Sequence, residues 1–263
     1  PALQARILGA GLYHLPRDEI VQKRNRDSRC SAPRPQRLLP PGEAHSVAVP
    51  IQSVQIDWDR LEAKRPIVLE TIDHMPAYLI KPEVLALLDA EKHPTYRLIL
   101  DLMWTTGAWI SEVLALKPTS FIDDGFDFGV MLKTLKQRPD RPTKVALQRS
   151  PKRYLPIADH ALEDRIQSYL YARHFKKTER IFPMCRQTVN RHIHALVDRV
   201  GGAPFQISAH TFRHSFAIHL LLHGRPLKYV SQLLRHKSVD STEIYTNVLT
   251  VDGAHFLDGV DFH

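Results

Sequence analysis

Apolar positions recur at helical spacing from Pro82 onward. Val84, Leu85, Leu87 and Leu88 follow a proline that a first helical turn tolerates. Leu98, Leu100, Leu102 and Met103 continue the pattern as far as Gly107, so two helices and a turn are predicted. Residues 108–116 predict another helix, with Ile110, Val113, Leu114 and Leu116 on its inner face and Pro118 as its stop. The period then changes. Residues 126–135 and 144–147 are apolar-rich runs on either side of the polar, proline-broken stretch 136–143, and 153–157 follows a Ser-Pro turn, which predicts a small antiparallel sheet. Helical spacing resumes through Leu162, Ile166, Leu170 and Tyr171 in residues 160–174. It continues through Val189, Ile193, Leu196, Val197 and Val200 in residues 186–200. The expected fold class is mainly α with a small antiparallel β-sheet, carried by residues 78–263.

Residues 1–77 have a different texture. They hold nine of the 19 prolines, and residues 23–37, which include Lys23 and Arg24, carry six basic side chains against one Asp. Pro33, Pro35, Pro40 and Pro41 remove backbone donors and push their predecessors toward extended geometry. This stretch reads as a basic, proline-rich arm or reduced DNA-binding region. It is either a solvated tail or a segment that neutralises phosphates. Residues 58–69 predict one helix within it.

Charge narrows the choice of partner. Lys and Arg number 36 against 28 Asp and Glu, a net +8 with His neutral, and that excess favours an anionic partner such as nucleic acid or an acidic membrane face. No apolar run approaches the roughly 18 residues needed to span hydrocarbon, so a membrane-spanning reading falls. The first 17 residues show no basic head followed by an apolar stretch, and a secretory leader is not expected there. Two cysteines, Cys30 and Cys185, are too few for a disulfide scaffold, and neither has the Cys/His spacing of a structural zinc site.

The chemistry is concentrated in the last third. In S-A-H-T-F-R-H-S-F-A-I-H-L-L-L-H-G, which begins at Ser208, a helix would put His210 and Arg213 on one face while Phe212, Phe216, Ile218, Leu220 and Leu221 anchor the other. A cation and an imidazole can then address one phosphate. A second run, P-L-K-Y-V-S-Q-L-L-R-H from Pro226, has core-like Val230, Leu233 and Leu234 and ends at His236. Tyr245 follows nine residues later, three after Thr242. Five histidines, His210, His214, His219, His223 and His236, also raise a metal site. His210 and His214 have the i,i+4 spacing of a zinc helix, but the intervening T-F-R lacks the Glu of H-E-x-x-H and its arginine repels a cation.

Taken together, H-T-F-R-H at 210–214, L-L-R-H at 233–236 and I-Y-T at 244–246, preceded by T-G-A-W-I-S-E at 106–112 and L-A-L, resemble the boxes of the tyrosine recombinases, the phage integrase family. The resemblance covers about residues 78–250. It implies that Tyr245 attacks a DNA phosphate and becomes joined to the 3′ end, that Arg213 supports the phosphate, that His210 acts as a hydrogen-bond or acid–base partner, that His236 donates to a non-bridging oxygen, and that a lysine in the sheet's hairpin protonates the departing 5′ oxygen. Lys136 is the choice for that lysine, with Lys133 and Lys144 beside it. Lys136 and Arg213, with Lys23 and Arg24 of the arm, are the candidate DNA contacts. The covalent step conserves the phosphodiester's energy, so neither ATP, a metal nor any other cofactor is required.

One position departs from the pattern. The family has Arg where this chain has Trp109, and an indole with a single N–H and no charge cannot reproduce a guanidinium fork. The expectation is a site-specific recombinase whose strand cleavage is weakened while DNA binding is largely kept. The competing reading is a catalytically silent DNA-binding accessory protein on the same scaffold. By resemblance the partner is double-stranded DNA at a specific site with inverted arms, in a tetramer across two sites, with no membrane involved. A cytoplasmic, nucleoid- or plasmid-associated setting is expected, and a plasmid or transposon resolvase is the nearest analogy.

Overall fold

The computed structural model describes residues 54–73, 75–133, 152–236 and 238–252, with side chains in the last stretch described as far as Leu249. Helix α1 (Trp58–Thr71) is capped by Asp57, whose carboxylate accepts from the Arg60 amide. Its Arg65 is buried and makes a paired salt bridge, 2.5 and 2.7 Å, to Glu83 at the start of α2 (Lys81–Ala90). Glu83 also accepts from the Ile80 amide, so one carboxylate caps the start of α2 and ties it to the middle of α1. Helix α3 (Pro94–Thr106) ends at Gly107, whose φ of +58° is the left-handed conformation that stops a helix. Buried Asp101 on α3 receives Arg97 from its own helix and Arg165 from α5 (His160–Arg173), and this locks the two together.

Helix α4 is shorter than the pattern predicts, Ile110–Val113, because residues after the Gly107 turn are still extended at Trp109. The sheet follows in the order β1 (Phe121–Asp123), β2 (Phe128–Lys133) and β3 (Lys152–Pro156), all antiparallel. Register pairs Phe121 with Val130 and Val130 with Leu155. Val130, Leu132 and Leu155 face the core, while Tyr154 lies over Gly129, where any Cβ would meet its ring. The remaining helices are α6 (Arg186–Arg199), α7 (Ala209–Leu222), α8 (Leu227–Leu234), α9 (Asp240–Glu243) and, after a 3₁₀ turn at Ile244–Thr246, α10 (Asn247–Asp252).

Two hydrophobic clusters share one helix. The larger collects α2 to α6 and the sheet, with Phe212 and Ala209 of α7. The smaller collects Leu61 and Val68 of α1, Phe216 to Leu222 of α7, Val230 and Leu234 of α8, Tyr245 and Val248. Helix α7 is therefore buried nearly all round, as expected of a central helix rather than a surface one. Polar groups on it must find partners inside the protein or form a site. Helix α1, which the sequence reading groups with the arm, packs on this second cluster. Among the described residues no helix is long and apolar enough to cross a membrane.

Candidate active site

Arg213 lies on buried α7 with 2% of its surface exposed. Its guanidinium donates to the Gly107 carbonyl at 2.6 Å and to the Leu234 carbonyl at 2.5 Å. These two carbonyls sit at the ends of α3 and α8, where helix geometry leaves acceptors unused. The charge is thus fixed between two helix C-termini, a favourable place for a cation. Burial and the neighbouring Arg153 lower the Arg213 pKa to about 10, so it stays charged at neutral pH. Gly107 permits this closeness: a Cβ there would lie 2.3 Å from the Phe216 ring and 2.9 Å from Leu234.

Trp109 lies over this arginine. The Arg213 Cζ is 4.5 Å from the indole centroid, a cation–π contact, and the His210 ring meets the indole edge-on at 4.7 Å. The indole is 40% exposed. The backbone beneath it is braced by Glu112, whose Oε2 accepts from the Trp109 amide at 3.0 Å and whose two oxygens take Arg153 of β3 at 3.0 and 2.8 Å. Glu112 therefore secures the loop from within, and is itself held by a strand partner, Arg153.

Tyr245 is almost fully buried, and its hydroxyl is 2.7 Å from His214 Nδ1. Burial raises the phenol's pKa while Arg213 opposes that rise, so the group is neutral at rest. The His214 and His236 rings lie 5.7 and 6.4 Å from the phenol ring, and His210 lies 6.3 Å from His214. His236 follows Arg235, which turns the chain at φ +57° after α8, and its Nδ1 is 2.7 Å from the buried Thr242 hydroxyl. That contact leaves Nε2 for a ligand.

The structure thus brings Tyr245, Arg213, His210, His236 and Trp109 into one neighbourhood. It adds His214, Glu112 and Arg153. Lys136, Lys144, Lys23 and Arg24 lie outside the described residues. Lys133 is exposed at the end of β2, opposite Lys152. Among the described residues no group of three His, Cys, Asp or Glu is placed to hold a metal.

His214 and His236 are each lowered to about 4, by burial first and then by Arg213 and neighbouring histidines. His219, between Trp58 and Trp104 on the same helix, is lowered to about 3 by burial and by His223. An unfolded chain protonates these rings near pH 6.5 while the folded chain keeps them neutral. Their contribution to stability is therefore complete above pH 6.5 and lost as the pH falls toward 4. Roughly 3 kcal/mol in total is expected to go over that span, allowing for partial solvent access. Thermal melts across pH 4 to 8 check this, and a flat profile contradicts it.

A small antiparallel sheet beside a helical body, with a buried phenol near an arginine and histidines, is the architecture of a site-specific tyrosine recombinase catalytic domain. The chain belongs to the phage integrase family, whose model matches residues 78–251. It is 34% identical over 221 residues to a resolvase of Escherichia coli, covering 76% of this chain and 84% of the relative. Its fold is that of the XerA recombinase, with a TM-score of 0.57 at 22% identity over 73% of this chain and 68% of that one. It is also that of the XerH recombinase bound to its difH substrate, with a TM-score of 0.53 at 20% identity over 65% of this chain and half of the other.

Proposed function

We propose that this chain cuts and rejoins double-stranded DNA at a specific site through a 3′-phosphotyrosine on Tyr245, and that Trp109 slows the cutting. The observation that carries the reading is the grouping of the Tyr245 hydroxyl, bonded to His214, with the rings of His236 and His210 and with Arg213 near the start of α7. Attack on phosphorus builds negative charge on the non-bridging oxygens, and donors already held in place stabilise it without reorganising. Arg213 has N–H groups left after its two carbonyl bonds, and the Nε2 of His236 is available as a further donor. The departing 5′ oxygen takes its proton from a hairpin lysine, for which Lys136 is the candidate.

Trp109 covers a face of Arg213, so a phosphate that is to meet the guanidinium must displace or skirt the indole. This same feature supports the second reading, a DNA-binding accessory protein without strand cleavage. A site with inverted arms, a tetramer across two such sites, and an arm using Lys23 and Arg24 on phosphates belong to the first reading.

A trapping experiment separates the two. Duplexes selected by the chain from a pool of randomised inverted arms are nicked within the spacer, so that cleavage releases a short fragment and strands the covalent complex. Expected is a slow-forming adduct whose peptide map places the nucleotide on Tyr245. Retention of the duplex with no adduct at Tyr245 overturns the recombinase reading and leaves binding alone.

A further inference from the structure

We propose that His214 takes the phenol proton when Tyr245 attacks, a role that rests on the recombinase reading above. Among the described residues, its Nδ1 is the hydrogen-bond partner of the Tyr245 hydroxyl, at 2.7 Å. Among the described residues neither of the other two histidines is bonded to the phenol. His210 packs edge-on against Trp109, and His236 Nδ1 is bonded to Thr242. His214 is one helical turn from His210, and its ring lies 5.7 Å from that of the phenol.

A buried neutral phenol needs an acceptor for its proton, and a buried neutral imidazole with Nδ1 facing the hydroxyl supplies one. The His214 tautomer that follows carries its proton on Nε2. In the step itself the Tyr245 O–H bond breaks, the proton passes to Nδ1, the phenolic oxygen forms its bond to phosphorus, and the bond to the 5′ oxygen breaks. That oxygen leaves with a proton from the hairpin lysine. When the 5′ hydroxyl returns, the same proton goes back to the phenol, so His214 ends unchanged.

The groups facing His214 explain why it is silent without DNA. His210 and Arg213 on its own helix and His236 beyond α8 all oppose a positive charge on its ring, as does its burial, and together they hold it near pKa 4. A bound phosphodiester brings a negative charge that grows in the transition state, and this reverses the sign of the local field. His214 becomes a competent base only when the substrate phosphate is in place.

The test has two arms. In the first, His214→Asn keeps an acceptor near the Nδ1 position but cannot take a proton. Adduct formation on the nicked duplex should fall 10²- to 10³-fold, with retention of the duplex unchanged and the pH dependence between 5 and 8 flattened. A substrate with sulfur in place of the bridging 5′ oxygen eases departure but not deprotonation, and should not restore His214→Asn. An unchanged rate in His214→Asn, or full restoration by the sulfur substrate, overturns the proposal.

The second arm needs no cleavage. Nitrogen NMR of the DNA-free protein should find His214 Nδ1 without a proton and its shift altered in Tyr245→Phe. A protonated Nδ1 overturns the proposal whether or not the chain cuts DNA. If the native chain and Trp109→Arg both form no adduct, or if the adduct survives Tyr245→Phe, the recombinase reading fails and the base role of His214 falls with it, whereas an adduct that forms at full rate in His214→Asn overturns the base role alone.

Discussion

Trp109→Arg is expected to speed formation of the Tyr245 adduct 10²- to 10³-fold, the equivalent of about 3 to 4 kcal/mol of transition-state stabilisation for one charge-assisted donor. The position is prepared for it. Glu112 holds the backbone of residue 109 through its amide, and this grip does not depend on the side chain above it. An arginine starting there projects over Arg213, where the indole now lies 4.5 Å from the guanidinium carbon. Without DNA, two guanidinium groups face each other, so the substituted chain should melt slightly lower and regain the difference when a phosphate lies between them. The check is the single-turnover rate on the nicked duplex, with binding measured alongside. Equal rates for the two chains would mean that Trp109 is no obstacle, and that Arg213 with the histidines suffices.

The same geometry shows what the amino-acid order could reveal and what it could not. Helices with strong punctuation were legible: Pro82 and Gly107 bracket α2 and α3, and the apolar periods of α5 and α6 match their observed spans to within a residue or so. Helix α4 came out shorter, because the left-handed Gly107 is followed by extended Trp109, and Glu112 then caps the helix from inside. Strand β1 was missed at three residues, too short for any alternation to register. From its apolar character Phe126 is expected in a strand. It is instead almost wholly exposed in a turn where Asp124 accepts from the amides of Phe126 and Asp127, and the D-D-G-F-D order carried that signal.

At the site, the positions of His210, Arg213, His236 and Tyr245 along the chain were legible as motifs. Their contacts were not. The bond from Tyr245 to His214 spans 31 residues and that from Arg153 to Glu112 spans 41, and no local period encodes either. On sequence His214 has no role of its own: it closes the H-T-F-R-H box and stands at metal-like spacing from His210. Its spacing was right for a shared helix face, but the partner on that face is a phenol delivered by a later turn. The clamp on Arg213 was equally hidden, because it is made by backbone carbonyls whose availability depends on where α3 and α8 end.

Arg213→Lys is the second large effect, and its size should depend on what stands at residue 109. A lysine keeps the charge but offers one compact ammonium in place of a planar fork, so it cannot bridge the Gly107 and Leu234 carbonyls and still address a phosphate. One of those carbonyls then stays buried without a partner, at about 1 to 3 kcal/mol of folding stability, and the indole loses the planar guanidinium it lies over. In the Trp109→Arg chain, where both guanidinium groups hold one phosphate, Arg213→Lys should cost about 10³-fold in adduct rate. In the native chain, where the indole already limits access, the same change should cost markedly less. The four chains form a double-mutant cycle, and groups acting on one phosphate are expected to be non-additive. Additive losses would show that residues 109 and 213 act on different steps, and the cationic pocket would have to be rebuilt around Arg213 alone.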